Sequence, residues 1–399
     1  AAAFVRKLVA VGGGLSLGVS TAFVLRAADF PSEAKEANSG HVELAAARSG
    51  VLGAIGNTPL IELHSLSEAT GCRILAKCEH LNPGGSIKDR AALWMIEDAE
   101  RRGQLKPGGT ICEGTGGNTG VGLAMVAAAR GYKAVMAMPA SIAVEKIDAM
   151  RIFGAKIILT PSVPFTDSRH YFHEAKKAAD TIEGGFFTNQ FENEANYRSH
   201  LEGTAPEIWR GTMGRVDGFV CSAGTGGTIS GCSQFLKAVN PEVKVYLIDP
   251  PGSGLHDYVL GRPPEEQLVL GTPTPFIKRS KGSSITEGIG IGRLTRNFKK
   301  AIIDGVFSGT DEEAVEMAFH LKEADGVLVG PSAALNVVGA VKLARKLGPG
   351  HTVVTVLCDG GDRYKSKLFN SDWLKEKGFF PSRRSAEDRQ SDLKLNWIS

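Results

Sequence analysis

Short apolar runs alternate with longer amphipathic segments along the chain from residue 49 onward. The runs RILAKCE, GTICEG, YKAVMAMP and AKIILTP are interleaved with segments of helical periodicity such as TGVGLAMVAAARG and VEKIDAMRIFG. The same alternation resumes after residue 215 with VDGFVCSAG, VKVYLIDP and TVVTVLCDGG. Apolar runs between amphipathic helices are typical of parallel strands that helices cover on both faces. The pattern therefore predicts an α/β fold, with helices beginning near Ala91 and Thr228.

The length and the two blocks of alternation favour two catalytic domains. We expect an N-terminal catalytic domain at 49–195 and a C-terminal one at 196–380, each a three-layer αβα unit with a mostly parallel sheet. A polar tail follows at 381–399. The stretch HSLSEATG and the polar region 251–285 show neither the periodicity of a helix nor that of a strand. Both are predicted to be irregular surface segments.

Residues 1–48 have a different pattern. From Leu8 to Leu25 the chain carries no charge, and basic residues flank this stretch on both sides. As a helix it would span roughly 27 Å, although its glycines weaken it. The pattern predicts an N-terminal hydrophobic helix, either a membrane anchor or an organellar presequence, followed by a polar linker. We expect a mitochondrial protein, anchored in the outer membrane rather than released into the matrix after presequence removal; a secretory leader is disfavoured.

Charge and cysteine usage narrow the possible partners. The 399 residues include 46 Lys+Arg and 43 Asp+Glu, a net charge of +3 without a dense basic run, which argues against nucleic acid. Six cysteines lie far apart without ligand spacing, so reduced thiols are expected and no metal site is predicted. His170 and His173 are interpreted as part of a solvated polar helix face rather than as a metal pair.

A glycine-rich turn, SAGTGGT at 222–228, lies between a predicted strand and a predicted helix. Its glycines allow close backbone approach, and Thr225 and Thr228 place hydroxyls beside amide groups at a helix N-terminus, where phosphate binds well. The turn lacks the GK[ST] ending of a nucleotide P-loop and the GxGxxG order of a dinucleotide fold. It therefore predicts a cradle for a smaller phosphate ester. The alternative is a tight turn whose glycines serve packing alone.

A second turn, EGTGGNTG at 113–120, also joins a strand to a helix. Its amides and the side chains of Thr115, Asn118 and Thr119 suit a carboxylate, although GNTG is also ordinary helix-capping chemistry. Lys88 in NPGGSIKDRAA precedes both turns. Lysine amines form Schiff bases with carbonyl cofactors, and pyridoxal phosphate combines an aldehyde with a phosphate. Next to the two turns, Lys88 is thus a candidate cofactor lysine, whereas alone it would be an exposed residue of a first helical turn.

Six motifs carry a resemblance to a known family. NPGGSIKDRAA, EGTGGNTGVGLA, TNQFENEANYRSH, SAGTGGTISG, EGIG and GPSAALN occur in the order of the cysteine synthase (O-acetylserine sulfhydrylase) and cystathionine β-synthase family, which are fold type II pyridoxal-phosphate enzymes. The resemblance covers roughly residues 50–370. The segment GYKAVMAMPASIAVEKIDAMRIFGAKIILTP is similar to the part of these enzymes that closes over the substrate.

The resemblance implies a set of site residues. Lys88 corresponds to the Schiff-base lysine and Asn118 to the residue that hydrogen-bonds the cofactor's phenolic oxygen. Ser332 corresponds to the serine that faces the pyridine nitrogen. The substrate carboxylate would be held by Thr115, Gly116, Asn118, Thr119 and Gln190, and the remaining cofactor contacts would come from Gly224, Thr225, Gly226, Gly227, Thr228 and Gly288.

The resemblance also implies the reaction. We expect β-replacement that forms L-cysteine from O-acetyl-L-serine, or a similarly activated serine, and sulfide, through an aminoacrylate, in a homodimer with pyridoxal 5'-phosphate. A serine in place of a carboxylate at the pyridine nitrogen suits elimination and replacement more than transamination. Lys88 would act as general base towards the α-proton.

Several alternatives stay open. A serine or threonine dehydratase, a cystathionine β-synthase-type condensation, and a non-catalytic membrane-tethered scaffold are the competing interpretations. Gly116 stands where the family usually has Ser, Thr or Asn, so the substrate preference is open. The segment CDGGDRY departs from the family pattern as well, and it leaves Cys358 and Asp359 beside the expected cofactor pocket without a role.

Overall fold

The computed structural model describes residues 48–142, 144–381 and 395–399. The predicted N-terminal hydrophobic helix, nearly all of its linker and most of the polar tail lie outside the described residues. Within the described ranges, no helix combines the length and the apolarity needed to cross a bilayer.

The strands of the described chain are short. In chain order they are β1 (Leu60–Glu62), β2 (Arg73–Lys77), β3 (Thr110–Gly114), β4 (Lys133–Pro139), β5 (Lys156–Thr160), β6 (Gly185–Phe187), β7 (Gly218–Cys221), β8 (Lys244–Asp249), β9 (Glu265–Val269), β10 (Thr272–Phe276), β11 (Gly305–Ser308) and β12 (Thr352–Val356).

Helices fill most of the intervals between these strands. They are α1 (Gly50–Gly53), α2 (His64–Thr70), α3 (Lys88–Arg101), α4 (Asn118–Arg130), α5 (Val144–Ile152), α6 (Tyr171–Thr181), α7 (Ala195–Ser199), α8 (Ala205–Gly211), α9 (Gly227–Val239), α10 (Leu255–Val259), α11 (Asp311–His320), α12 (Pro331–Leu347) and α13 (Ser371–Glu376). A π-helical turn, His200–Thr204, joins α7 to α8.

Two sheets organise the fold. The larger has the order β1-β2-β12-β7-β8-β11, and all its pairs are parallel except β1 with β2. The smaller has the order β5-β4-β3-β6 and is parallel throughout. The predicted α/β fold with mostly parallel sheets is confirmed.

Two helices, α4 and α12, bury mostly apolar residues against these sheets. Along α12 nearly every residue from Pro331 to Ala344 is buried, and this helix lies in the core of the larger sheet. The Ala-rich α4 packs beside α3 in a second core with strands of the smaller sheet. Small side chains allow this close approach, and Gly131, at a φ of 73°, ends α4 in the left-handed conformation that glycine adopts without strain.

Two predictions of irregular structure are wrong. The stretch HSLSEATG forms α2, which buries Leu66 and ends at Gly71 with a φ of 67°. The region 251–285 contains α10 and an antiparallel hairpin of β9 and β10. Its two turn residues, Leu270 and Gly271, both have positive φ, as in type I′ turns. The helices and strands in these regions are five to seven residues long, too short for their hydrophobic periodicity to be recognised in the sequence.

The larger sheet takes its strands from both ends of the described chain. β2 pairs with β12 through a register that joins Arg73 to Thr352 and Lys77 to Val356. The smaller sheet is built from residues 110–187 alone. Strands from both sides of residue 195 thus share the larger sheet, and the domain boundaries inferred from the sequence stay predictions.

Candidate active site

The predicted phosphate turn follows the buried strand β7 and opens α9. Among the described residues, the backbone N–H groups of Gly224, Thr225, Gly226 and Thr228 donate to no acceptor. Four free amides at the N-terminus of a 13-residue helix form the kind of donor set that an anionic phosphate ester satisfies. This part of the chain therefore fits the phosphate of the expected cofactor.

The glycines of this turn are also required by packing. A Cβ at Gly226, whose φ is 87°, would lie 2.6 Å from Phe298 Cα, and one at Gly224 would collide with the carbonyl oxygen of Gly288. The Thr225 hydroxyl accepts from Asn196 Nδ2 at 3.0 Å. The glycines are therefore needed for packing, and this is compatible with a phosphate cradle. Packing alone does not explain why the amides of the turn are free.

The second predicted loop lies between β3 and α4. Gly117 N donates to Thr115 Oγ1 at 3.2 Å, and the Thr119 hydroxyl donates to Gln190 Oε1 at 2.7 Å. The N–H groups of Gly116, Asn118 and Thr119 have no acceptor among the described residues. The structure therefore brings the predicted carboxylate loop and Gln190 together, with free donors at the start of α4.

A buried carboxylate, that of Glu113, stabilises this loop through hydrogen bonds. Its carboxylate is fully buried and accepts from Thr188 Oγ1 at 2.5 Å, Gln190 N at 3.0 Å and Gly114 N at 3.0 Å. Burial raises the pKa of Glu113 to about 7, against the opposing effect of these hydrogen bonds. The sequence did not mark Glu113, although it precedes the glycine run directly.

Lys88 is partly buried at the first position of α3. The preceding Ile87 N donates to Cys358 O at 2.9 Å, which fixes the helix start against the segment after β12. Burial chiefly raises the pKa of Cys221 and of Cys358, and the nearby charge of Lys88 opposes both shifts. The charge of Lys88 therefore acts on Cys221 at the end of β7, where the phosphate turn begins.

A buried charge network lies under the start of α3. Arg90 donates to Glu79 Oε2 at 2.7 Å and to Glu207 Oε2 at 2.6 Å, and Lys77 Nζ pairs with Glu207 at 2.6 Å. Burial opposes the ionisation of Glu207, but hydrogen bonds and charge from Arg90 and Lys77 outweigh it and lower its pKa to about 2. The network ties α3 to β2 and α8, and so fixes Lys88.

The π-helical turn 200–204 brings a histidine to the phosphate turn. His200 Nε2 lies 3.4 Å from Thr228 Oγ1, and its Nδ1 lies 2.9 Å from Thr204 Oγ1. Burial, followed by the charges of Arg90 and Lys88, holds the pKa of His200 well below its usual value. The ring is therefore neutral at physiological pH. The motif TNQFENEANYRSH contained this residue, but its role was not inferred.

The remaining predicted cofactor residues surround the same place. Ser332 is buried in the first turn of α12. On the same helix, Asn336 Oδ1 accepts from Ser222 N at 2.7 Å, which joins α12 to the phosphate turn. Gly288, at a φ of 82°, packs against Gly224. Asn118 contacts Asp359 and Arg363, neither of which the sequence assigned a role.

One ion pair joins α5 to the EGIG motif. Lys146 on α5 pairs with Glu287 of the EGIG motif, and Glu287 also pairs with Lys367. Burial opposes ionisation of Glu287, but the two lysines outweigh it and lower its pKa. The bond joins the segment predicted to close over the substrate to the loop before β11.

The chain is similar in sequence and in fold to several known proteins. Residues 51–359 match the model of the family described as pyridoxal-phosphate dependent enzyme. The chain is 50% identical to cysteine synthase 1 of Neurospora crassa over 331 residues, which is 82% of this chain and 85% of that protein. It is 47% identical to the cysteine synthase of Dictyostelium discoideum over 334 residues, 83% and 86% of the two chains. Among solved structures, an O-acetylserine dependent cystathionine β-synthase from Helicobacter pylori aligns with a TM-score of 0.68 at 32% identity, covering 79% of this chain and 97% of that one.

Proposed function

The chain belongs to the family of pyridoxal-phosphate dependent enzymes, and we propose that it makes L-cysteine from O-acetyl-L-serine and sulfide by β-replacement. The observation that carries this proposal is the set of free amides at Gly224, Thr225, Gly226 and Thr228, in a chain that contains the Lys88 motif and is 50% identical over 331 residues to a cysteine synthase. The intact motif around Lys88 argues against a non-catalytic scaffold, because a scaffold would not need a cofactor lysine.

The residues present fit the cofactor. Bound pyridoxal phosphate supplies an aldehyde that captures amines and a ring that withdraws electrons from the substrate α-carbon. Lys88 is proposed to hold the cofactor through Nζ and, once displaced by substrate, to accept the α-proton there. The free amides of Gly224, Thr225, Gly226 and Thr228 would hold the phosphate.

The loop at 115–119 is proposed to orient the substrate. Its free N–H groups, together with the Thr119–Gln190 pair, offer donors to a carboxylate at the start of α4. Fixing the carboxylate directs the Cα–H bond towards the lysine, a positioning effect worth several kcal/mol. Ser332, a neutral residue, favours replacement over transamination.

A spectroscopic titration tests the proposal. O-acetylserine added to the purified holoenzyme is expected to change its visible absorption, and sulfide is expected to restore the spectrum with formation of cysteine. Treatment of the wild-type holoenzyme with borohydride is expected to attach the cofactor covalently to Lys88. Lys88→Ala serves as the control, because it lacks the amine that is trapped. Pyruvate and ammonia released without any need for sulfide would instead support a serine or threonine dehydratase.

A second candidate is condensation with a larger thiol. It is favoured by the structural similarity to an O-acetylserine dependent cystathionine β-synthase. The absence of a side chain at Gly116 leaves the polar lining of the substrate loop smaller than in the family pattern. Replacing sulfide by homocysteine in the same titration distinguishes the two functions. In a condensing enzyme, kcat/KM for cystathionine formation would exceed kcat/KM for cysteine formation.

We also propose the location and assembly that the sequence suggests. The uncharged stretch at 8–25 supports a mitochondrial protein with an N-terminal anchor, favoured in the outer membrane, and the family resemblance supports a homodimer. Carbonate extraction and protease protection of isolated mitochondria would test the anchor and its sidedness. Light scattering on the purified protein would test the dimer.

A further inference from the structure

Asp359 lies at the meeting point of three segments of the site. It follows β12 and is 1% exposed. Its backbone forms a bridge with Ser86, two residues before Lys88, and its carbonyl accepts from Gly330 N at 3.1 Å, two residues before Ser332. The backbone of Asp359 is therefore held against the segments that carry Lys88 and Ser332.

The Asp359 side chain holds the Asn118 carboxamide. Asp359 Oδ2 accepts from Asn118 Nδ2 at 2.7 Å and from the Tyr364 hydroxyl at 2.7 Å. On the other side of the amide, Arg363 Nη1 donates to Asn118 Oδ1. The second oxygen, Asp359 Oδ1, is buried and has no partner among the described residues.

These contacts allow one orientation of the amide. An ionised carboxylate only accepts and a guanidinium only donates, so the nitrogen of Asn118 must face Asp359 and the oxygen must face Arg363. Turning the amide over would replace two charge-assisted hydrogen bonds by two repulsive contacts. The nitrogen carries two protons, and one of them remains available to another acceptor.

We propose that Asp359 is a positioning residue that presents the free proton of Asn118 Nδ2 to the cofactor's phenolic oxygen. The inference rests on the proposed function, since it assumes the cofactor lies between Lys88 and Asn118. A donor at this oxygen stabilises its ionised form. Asp359 thus sets the protonation of the cofactor without touching it, through the orientation of one amide.

A double-mutant cycle tests this role. Asp359→Asn, Asn118→Ala and the double variant are reconstituted with pyridoxal phosphate, and the visible absorption is followed from pH 6 to 10, because the bands depend on the proton at the phenolic oxygen. Asp359→Asn is expected to increase the protonated fraction and to weaken cofactor binding about tenfold. In the Asn118→Ala background it is expected to change neither.

Tyr364→Phe is the matched control. It removes the other hydrogen bond to Asp359 Oδ2 and leaves the contact with Asn118. It is expected to lower the melting temperature while the ratio of the bands stays that of the wild type. If Asp359→Asn does not yield folded protein, Arg363→Met, which removes the restraint on Asn118 Oδ1, is measured in the same way with the same expectation.

The outcomes separate the inference from the proposed function. An equal effect of Asp359→Asn with and without Asn118, or no effect on the bands in either, would overturn the positioning role. Neither outcome affects the cysteine-forming activity of the wild type, which is assayed in parallel. A wild type that binds no pyridoxal phosphate would overturn the proposed function itself, and the inference with it.

Discussion

The Thr119 hydroxyl donates to Gln190 Oε1 across 2.7 Å, and this bond joins the N-terminus of α4 to the segment after β6. Thr119→Val removes the donor at nearly constant volume. We expect kcat/KM for O-acetylserine to fall about tenfold, mainly through KM, while the cofactor content stays the same. Steady-state kinetics with a measured cofactor ratio check this. Thr181→Val, at the exposed end of α6, is the control and should leave both unchanged.

Gly116 and Ile142 compete for the same space. A Cβ at position 116 would lie 2.6 Å from both Cδ1 and Cγ1 of Ile142. Gly116→Ser, which restores the residue type of the family pattern, should therefore destabilise the protein by about 1–3 kcal/mol through overpacking. Gly116→Ser combined with Ile142→Ala should be more stable than Gly116→Ser alone. Urea unfolding measures the coupling, and additive effects would contradict it.

The charge network under α3 is expected to be sensitive to the loss of one partner. Arg90→Met leaves Glu79, which is fully buried, without its counter-charge. The free energy of unfolding should fall by about 3–5 kcal/mol. Arg151→Met is the matched control, because Arg151 pairs with Asp148 and both side chains are 56% exposed. It should cost at most about 1 kcal/mol. Equal losses would show that burial does not decide the effect.

Asp89 predicts a pH dependence of stability. Burial raises its pKa from 3.8 to about 7, and only Oδ2 has a partner, Gly84 N at 2.5 Å. Between these two pH values the folded state keeps a proton that the unfolded state has lost. Stability from this residue is therefore present at low pH and decreases as the pH rises towards 7, by up to about 1.4 kcal/mol per pH unit.

Asp89→Asn should remove this contribution. Its amide keeps an acceptor for Gly84 N and has no charge to bury. Urea unfolding between pH 5 and 8 should show a smaller decline for Asp89→Asn than for the wild type. Parallel curves for the two proteins would mean that Asp89 does not titrate in this range.

The ion pair between Lys146 and Glu287 predicts a role in excluding water. The Lys146 side chain is only 11% exposed, so Glu287→Gln would leave a nearly buried ammonium without its counter-charge. Looser closure should admit water to the reacting substrate and raise the ratio of pyruvate to cysteine several-fold. Product analysis at saturating sulfide measures this ratio. Glu376→Gln, at an exposed pair with Lys377, is the control and should leave the ratio unchanged.

The sequence was sufficient for elements with a strong period. Buried strands such as β3 and β12, and the Ala-rich α4, follow from their apolar patterns, and the glycine turns follow from their place after strands. The helix predicted from near Ala91 begins three residues earlier, at Lys88, and the loop at 115–119 lies between β3 and α4. The helix α2 did not emerge, because seven residues anchored by one buried leucine carry little periodicity.

The supporting residues of the site could not be predicted in the same way. Asp359 and Asn118 are 241 positions apart, and their contact depends on how the segment after β12 lies against the start of α4. The same holds for Lys146 and Glu287, which are 141 positions apart. Sequence patterns report which residues share an element, whereas such pairs depend on how the sheets bring distant elements together.

The pairing of β2 with β12 also sets an order of events during synthesis. The smaller sheet needs only residues 110–187, so it can form while the ribosome is still translating the rest. The larger sheet needs a contact between residues about 280 positions apart, which closes late and slowly. A nascent chain is therefore synthesised for most of its length with Lys88 outside any completed site, and the candidate site is complete only after β12 has joined the larger sheet.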